Sequence, residues 1–136
     1  MIERLVIVSI LIIVGYVAFA LYRKATLHHA AEQAPRDPLL ANVPSNSATI
    51  VYFTTPGCIP CRTQQQPALE KLKSEMGDSV YIVKVDASED PETAKRWGVM
   101  SAPTTFILGR DGKPSAVNYG AADAATLRQQ VTKSLA

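Results

Sequence analysis

Cysteine is scarce in this chain, with two in 136 residues, too few for a small domain held together by disulfides. Charge of one sign is scarce as well. Fourteen basic and twelve acidic residues leave a net +2. That balance lacks the concentrated basic surface a phosphate backbone demands, so nucleic acid is not an expected partner. Seven glycines and nine prolines are too few for a collagen-like chain, and 47% hydrophobic against 19% charged residues excludes a disordered one. No internal repeat is visible. The length fits one ordinary domain with something small beside it.

What is present is unevenly spread. Residues 5–22 form an uncharged run of 18, broken only by Ser9, Gly15 and Tyr16. As a helix the run is about 27 Å long, close to the roughly 30 Å hydrocarbon core of a bilayer, and it has no polar face. Residues 1–24 therefore read as a membrane anchor. A cleaved signal peptide is the competing reading, through the small-x-small pattern Ala18-Phe19-Ala20, but Glu3 offsets Arg4 in what would be its charged leader. Length and the basic stop Arg23-Lys24 favour the anchor. One basic residue precedes the run (Arg4) and three follow it closely (Arg23, Lys24, Arg36), which leans the remainder of the chain toward the cytoplasm.

Residues 25–48 read as a spacer. A helix can continue out of the membrane until Pro35 stops it, and Pro38, Pro44 and Ser45-Asn46-Ser47 mark irregular chain. His28 and His29 fall here; adjacent positions on a helix point about 100° apart, so they read as solvated rather than as metal ligands.

Residues 49–136 alternate between the two periodicities. Residues 49–54 are β-branched and aromatic, as in a buried strand. A helix follows from Cys58 to Met76, with Leu69, Leu72 and Met76 on one face and Gly77 as its stop. Residues 80–85 form a second strand. Asp90-Pro91 opens a short helix that ends at Gly98. Residues 104–108 and 115–119 flank Asp111-Gly112 as a hairpin, and Leu127, Val131 and Leu135 stripe a last helix. The order βαβαββα predicts an α/β domain over residues 49–136, with a central mixed sheet flanked by helices.

The chemistry is concentrated in Gly57-Cys58-Ile59-Pro60-Cys61, where a strand turns into a helix. The first four N–H groups of a helix lack internal partners, and its dipole places about half a positive charge there. A thiolate is stabilised at such a site, and cysteine pKa values fall from about 8.5 to between about 3.5 and 7.5. Cys58 is thus the expected exposed nucleophile. Cys61, one turn further in, is placed to attack it once a mixed disulfide has formed. Gly57 leaves room for a partner, and Arg62 adds positive field.

Other uses of two cysteines stay open. Zinc needs two further ligands, and the domain holds no other Cys and no His, although a dimer could share one metal between two pairs. A structural disulfide would close too short a loop to stabilise much. A soft-metal carrier for Cu(I), or a redox-sensing interaction module, would use the same dithiol.

Cys58-Ile59-Pro60-Cys61 between a strand and a helix, with Ser101-Ala102-Pro103-Thr104 ahead of a later strand, resembles the thioredoxin superfamily over about residues 48–136. The resemblance implies a thioredoxin-like fold and a thiol–disulfide oxidoreductase with no cofactor beyond its dithiol. Its partners would be disulfide-containing proteins and an external electron donor, either a reductase or a membrane thiol relay. It implies that Pro103 is a cis proline beside the cysteines, opening the Ala102 backbone to a substrate strand and keeping metals off the sulfurs. Gly57, Ile59, Pro60, Ala102 and Pro103 would form the substrate-binding rim. Gly120 matches a glycine that follows the last strand near the site, and Lys84 matches a buried lysine on the strand beside it.

Several positions depart from the family pattern. Gly57 stands where a tryptophan usually precedes the first cysteine, and Tyr52 stands where a buried acid assists the resolving one. With a pKa near 10, tyrosine is a poor base at neutral pH. Pro67 falls one residue later than the usual helix proline. The short run between the spacer prolines and the first strand leaves no room for the extra N-terminal strand and helix of thioredoxins, so a minimal, glutaredoxin-like domain is expected, without a glutathione-binding pattern. Between the cysteines, Ile59-Pro60 carries proline second, as in reducing thioredoxins. Gln64-Gln65-Gln66 reads as a solvated helix face, Trp97 as core, and Tyr119 as either strand packing or groove lining.

Overall fold

The computed structural model describes residues 1–33 and 37–136. Pro35 and Arg36, invoked above as a helix stop and a flanking charge, lie outside the described residues. Helix α1 (Ile2–Gln33) is continuous over 32 residues. Its most apolar 18-residue window is entirely unburied by the rest of the chain. Its length and composition are those of a membrane span or of a signal sequence.

After α1 come β1 (Ala48–Thr54), α2 (Gln66–Met76), β2 (Val80–Asp86), α3 (Pro91–Arg96), β3 (Thr104–Leu108), β4 (Pro114–Tyr119) and α4 (Ala124–Leu135). This is the order expected from the sequence, with boundaries shifted by a few residues at most except at the start of α2. The four strands form one sheet in the order β2-β1-β3-β4. β1 pairs parallel with β2 and antiparallel with β3, and β3 pairs antiparallel with β4.

Every residue of β1 is buried, because helices cover both faces of the sheet. Its period-two alternation sends Ile50 and Tyr52 to one face, where they meet Leu69 and Leu72 of α2 and Leu127 and Val131 of α4. Val51 and Phe53 point to the other face, into a cluster with Trp97 and Phe106. The Trp97 and Phe106 rings pack edge to face, 5.2 Å apart. Burying an apolar side chain of this size contributes about 1.5–3 kcal/mol, so these two clusters are the main source of stability.

The ends of the helices follow local rules. Asp90 accepts the Thr93 N–H at 3.2 Å to cap α3, and Asp123 accepts the Thr126 N–H at 2.8 Å to cap α4. α3 stops at Gly98, whose φ of +69° is a conformation L side chains rarely adopt.

Two expectations need correction on the Trp97 face. The sequence reading left this face without an N-terminal helix, but the far end of α1 supplies one. Thr26 and Ala30 are buried there, and Leu27 packs against the aromatic cluster. The apolar run hides this in the sequence, since the docking residues continue its pattern without a break. Asp37, in the expected spacer, has a side chain only 1% exposed. It accepts the Trp97 Nε1–H at 2.7 Å and caps the turn Pro38–Leu40. Trp97 is core, as expected, but core with a polar anchor.

The strand register decides where chemistry can occur. Phe53 near the end of β1 lies opposite Thr104 at the start of β3, and Thr104 lies opposite Tyr119 at the end of β4. Three loops therefore converge at one end of the sheet: the one after β1, the one before β3 and the one after β4.

Candidate active site

The loop after β1 turns tightly, with the Cys58 N–H donating to Thr55 O at 3.1 Å, and leads into helical residues at Ile59 and Pro60. Cys58 and Cys61 are joined by a disulfide, with sulfurs 2.05 Å apart. Cys58 retains 8% of its surface and Cys61 none. The expected exposed nucleophile is therefore nearly covered, yet of the two cysteines it alone keeps any exposed surface. The Cys61 N–H donates to Cys58 Sγ at 3.2 Å. This is one of the unpaired donors of the helix start, aimed at the atom that would carry negative charge once the disulfide is reduced.

The second loop brings Pro103 to the site through a cis Ala102–Pro103 bond. Pro103 is buried and Ala102 half-buried. The third loop is tied to the second, since the Gly120 N–H donates to Pro103 O at 2.9 Å. Gly120 adopts φ +87°, which accounts for glycine at this position. Gly57, Ile59 and Pro60 are exposed around Cys58, Ile59 at 63%.

The supporting residues fare unevenly. Tyr52 is buried, and its hydroxyl donates to Cys61 O at 3.4 Å. Burial pushes its pKa above the usual 10.0, against a smaller opposing effect of the Thr54 hydroxyl. Lys84 pairs in register with Tyr52, but it is exposed rather than buried. The reason is topological: β2 is an edge strand, and among the described residues no further strand covers its outer side. Arg62 is exposed and makes no hydrogen bond or ion pair among the described residues.

Gln65 corrects the sequence reading most clearly. It is fully buried, not solvated, and its side-chain amide bonds the backbone of Ala122 through both its nitrogen and its oxygen. Helix α2 is thereby fastened to the loop after Gly120. Its position was a usable signal, since Cys61, Gln65, Leu69 and Leu72 share one helical face. Tyr119 lies against Tyr22 of α1 with ring centres 6.0 Å apart.

Among the described residues, no group of three or more His, Cys, Asp or Glu side chains is assembled to hold a metal ion. The thioredoxin family model matches residues 29–133. The chain belongs to the thioredoxin family. It is 40% identical to a thioredoxin of Bacillus subtilis (strain 168) across 67% of this chain and 86% of that one. A thioredoxin of Rhodospirillum rubrum is 38% identical across 62% and 80%. Among solved structures, chloroplastic thioredoxin z superposes with a TM-score of 0.60 at 30% identity, covering 65% of this chain and 79% of that one. Fasciola hepatica thioredoxin gives 0.58 at 30% identity, covering 66% and 83%. With the Cys-x-x-Cys pair in place, this member of the family is a thiol–disulfide oxidoreductase.

Two of the chain's departures from the family pattern become intelligible. The family match begins at residue 29, inside α1, so it takes in Ala30 of the docked end but not Thr26 or Leu27. The late Pro67 is explained by a π-type turn over Cys61–Gln65, in which the Gln66 N–H reaches back to Cys61 O. Such a turn absorbs one extra residue without breaking the helix, shifting the proline by one.

Proposed function

We propose that this protein is a membrane-tethered reductase of protein disulfides, with Cys58 as nucleophile and Cys61 as resolving cysteine. The observation that carries the roles is the 3.2 Å contact from the Cys61 N–H to Cys58 Sγ, together with the residual exposure of Cys58 alone. In the reduced protein the Cys58 thiolate attacks one sulfur of a substrate disulfide. That bond breaks, the departing sulfur takes a proton, and Cys58 carries a mixed disulfide. The Cys61 thiolate then attacks Cys58 Sγ and releases the second substrate thiol. Two electrons have passed to the substrate, and the Cys58–Cys61 disulfide seen here remains. An external dithiol donor must reduce it again.

Gly57, Ile59, Pro60, Ala102 and Pro103 form the rim a substrate segment would meet, with Ala102 offering its backbone to an extended strand. Proline in the second position between the cysteines supports the reducing direction. Potentials span about −270 mV for thioredoxins themselves to about −120 mV for strong oxidants, so a value above about −150 mV would overturn that direction. The exposed apolar length of α1 supports the tether, and the excess of Arg23, Lys24 and Arg36 over Arg4 supports a cytoplasmic domain.

The decisive experiment is Cys61→Ala, which should leave substrates attached to Cys58 and visible on a non-reducing gel. Absence of any trapped species, with stoichiometric copper binding by the unaltered protein, would favour a metal carrier instead. Labelling of Cys58 by a membrane-impermeant maleimide in intact cells would reverse the assigned side.

A further inference from the structure

Between Ala30 and Tyr22, helix α1 runs along the domain toward its dithiol end. Ala30 sits in the aromatic core. One turn earlier, Thr26 lies beside Gly98, with its Cγ2 3.8 Å from where a Cβ on that glycine would be. Another turn on, the Tyr22 hydroxyl donates to Met100 Sδ at 3.2 Å, and its ring lies against Tyr119. Met100 leads into the Ala102–Pro103 loop, and Tyr119 immediately precedes Gly120. Tyr22 is also the last residue of the uncharged run, with Arg23-Lys24 directly after it. The loops around the dithiol therefore stand level with the point where α1 leaves its apolar stretch. Ile59 and Met100, 63% and 84% exposed, give that end an apolar rim.

We infer that α1 is a mount rather than a leash, holding Cys58 at the bilayer surface so that its substrates are disulfides in the juxtamembrane segments of other membrane-anchored proteins. The inference rests on the tether proposed above and adds the substrate class. A soluble protein would have to enter between the domain and the lipid. A disulfide close to the bilayer exit of a neighbouring membrane helix arrives at the height of Cys58 by lateral diffusion alone. The reaction is the exchange already described, with two electrons passing from the Cys58/Cys61 dithiol to the substrate disulfide and an external dithiol restoring the pair.

The test uses the full chain in phosphatidylcholine–phosphatidylglycerol vesicles. A fluorophore on Met100→Cys, in a Cys58→Ser, Cys61→Ser background, should be quenched by nitroxides on lipid headgroups. The reduced, otherwise unaltered chain is then given a synthetic membrane-anchored disulfide loop, placed either directly at the end of its transmembrane helix or beyond a rigid helical spacer of about 30 Å (about 20 residues). At least tenfold faster reduction of the near loop is expected. Co-flotation with vesicles but no headgroup quenching would overturn the mount and leave the tether standing. Quenching with equal rates on both loops would overturn the substrate class. Quenching mainly by deep acyl-chain nitroxides, again with equal rates, would mean that lipid covers the rim and would overturn it too. Failure to co-float would overturn the tether, and this inference with it.

Discussion

The side chain of Gln65 grips the backbone of Ala122 at two atoms: its Nε2 donates to Ala122 O at 3.2 Å, and its Oε1 accepts the Ala122 N–H at 3.0 Å. Ala122 lies in the loop that follows Gly120, so this amide ties the helix carrying Cys61 to a wall of the site. Replacing Gln65 with Leu keeps the volume but strands both Ala122 groups. Each costs about 1–3 kcal/mol if left without a partner. Because Ala122 is only half-buried and water can reach part of it, a total loss of about 2 kcal/mol is expected from the Gln65→Leu variant. Urea denaturation in detergent, followed by the fluorescence of Trp97, would measure it.

Asp37 presents a sharper case, since its carboxylate is buried and has named partners. It accepts the Trp97 indole N–H at 2.7 Å, while Arg96, 40% exposed, approaches at 3.4 Å. Asp37→Ala leaves the indole donor buried without an acceptor and should cost about 3 kcal/mol. Asp37→Asn keeps an acceptor oxygen and should cost clearly less. Equal losses in the two variants, measured by the same denaturation, would mean that the charge rather than the indole bond matters at this position.

Acid stability should depend on the helix caps. The Thr93 hydroxyl, at 2.6 Å, and the Thr93 N–H hold the Asp90 carboxyl below the ordinary 3.8. Hydrogen bonds from the Thr126 side chain and then its N–H do the same for Asp123. A depressed folded pKa means that the unfolded chain binds the proton first. The contribution is therefore complete above the ordinary value and is lost as pH falls through the depressed one. A double Asp90→Asn, Asp123→Asn variant retains acceptor oxygens but cannot titrate. Its melting temperature should fall less steeply than that of the parent between about pH 5 and about pH 2.

The parts of the fold legible in the sequence are those written in periodicity. The β-branched and aromatic run over residues 49–54 announced a buried strand, and the acid–proline start and glycine stop of α3 announced its ends. The dithiol was legible because a Cys-x-x-Cys pair at a strand–helix junction is chemically specific. Asp37 was not, because a polar residue becomes a core residue only when a distant partner, here Trp97, satisfies it; Gln65 was signalled only by its place on the face of Cys61, Leu69 and Leu72, its partner Ala122 being as distant. The docked end of α1 was masked by its own apolar neighbours. Lys84 was misplaced because the resemblance carried a buried lysine over to what is here an edge strand: among the described residues no strand covers the outer side of β2.

Tyr52 yields the prediction that bears most directly on mechanism. By the resemblance it stands where a buried acid is expected, and it touches the proposed resolving cysteine through its backbone, donating to Cys61 O at 3.4 Å. A phenol whose pKa burial has raised above 10.0 holds its proton throughout the neutral range, so it cannot take the one Cys61 must lose. That proton must pass to water or to the departing substrate sulfur. Tyr52→Phe should therefore cost about 1 kcal/mol of stability, for one hydrogen bond. It should leave the rate of disulfide reduction within about threefold and the shape of its pH profile unchanged between about pH 6 and about pH 9. Tyr52→Asp should behave differently, because a buried carboxyl has a raised pKa and would introduce a new ionisation into that profile. A changed profile in the phenylalanine variant would show that the hydroxyl, and not solvent, handles the proton.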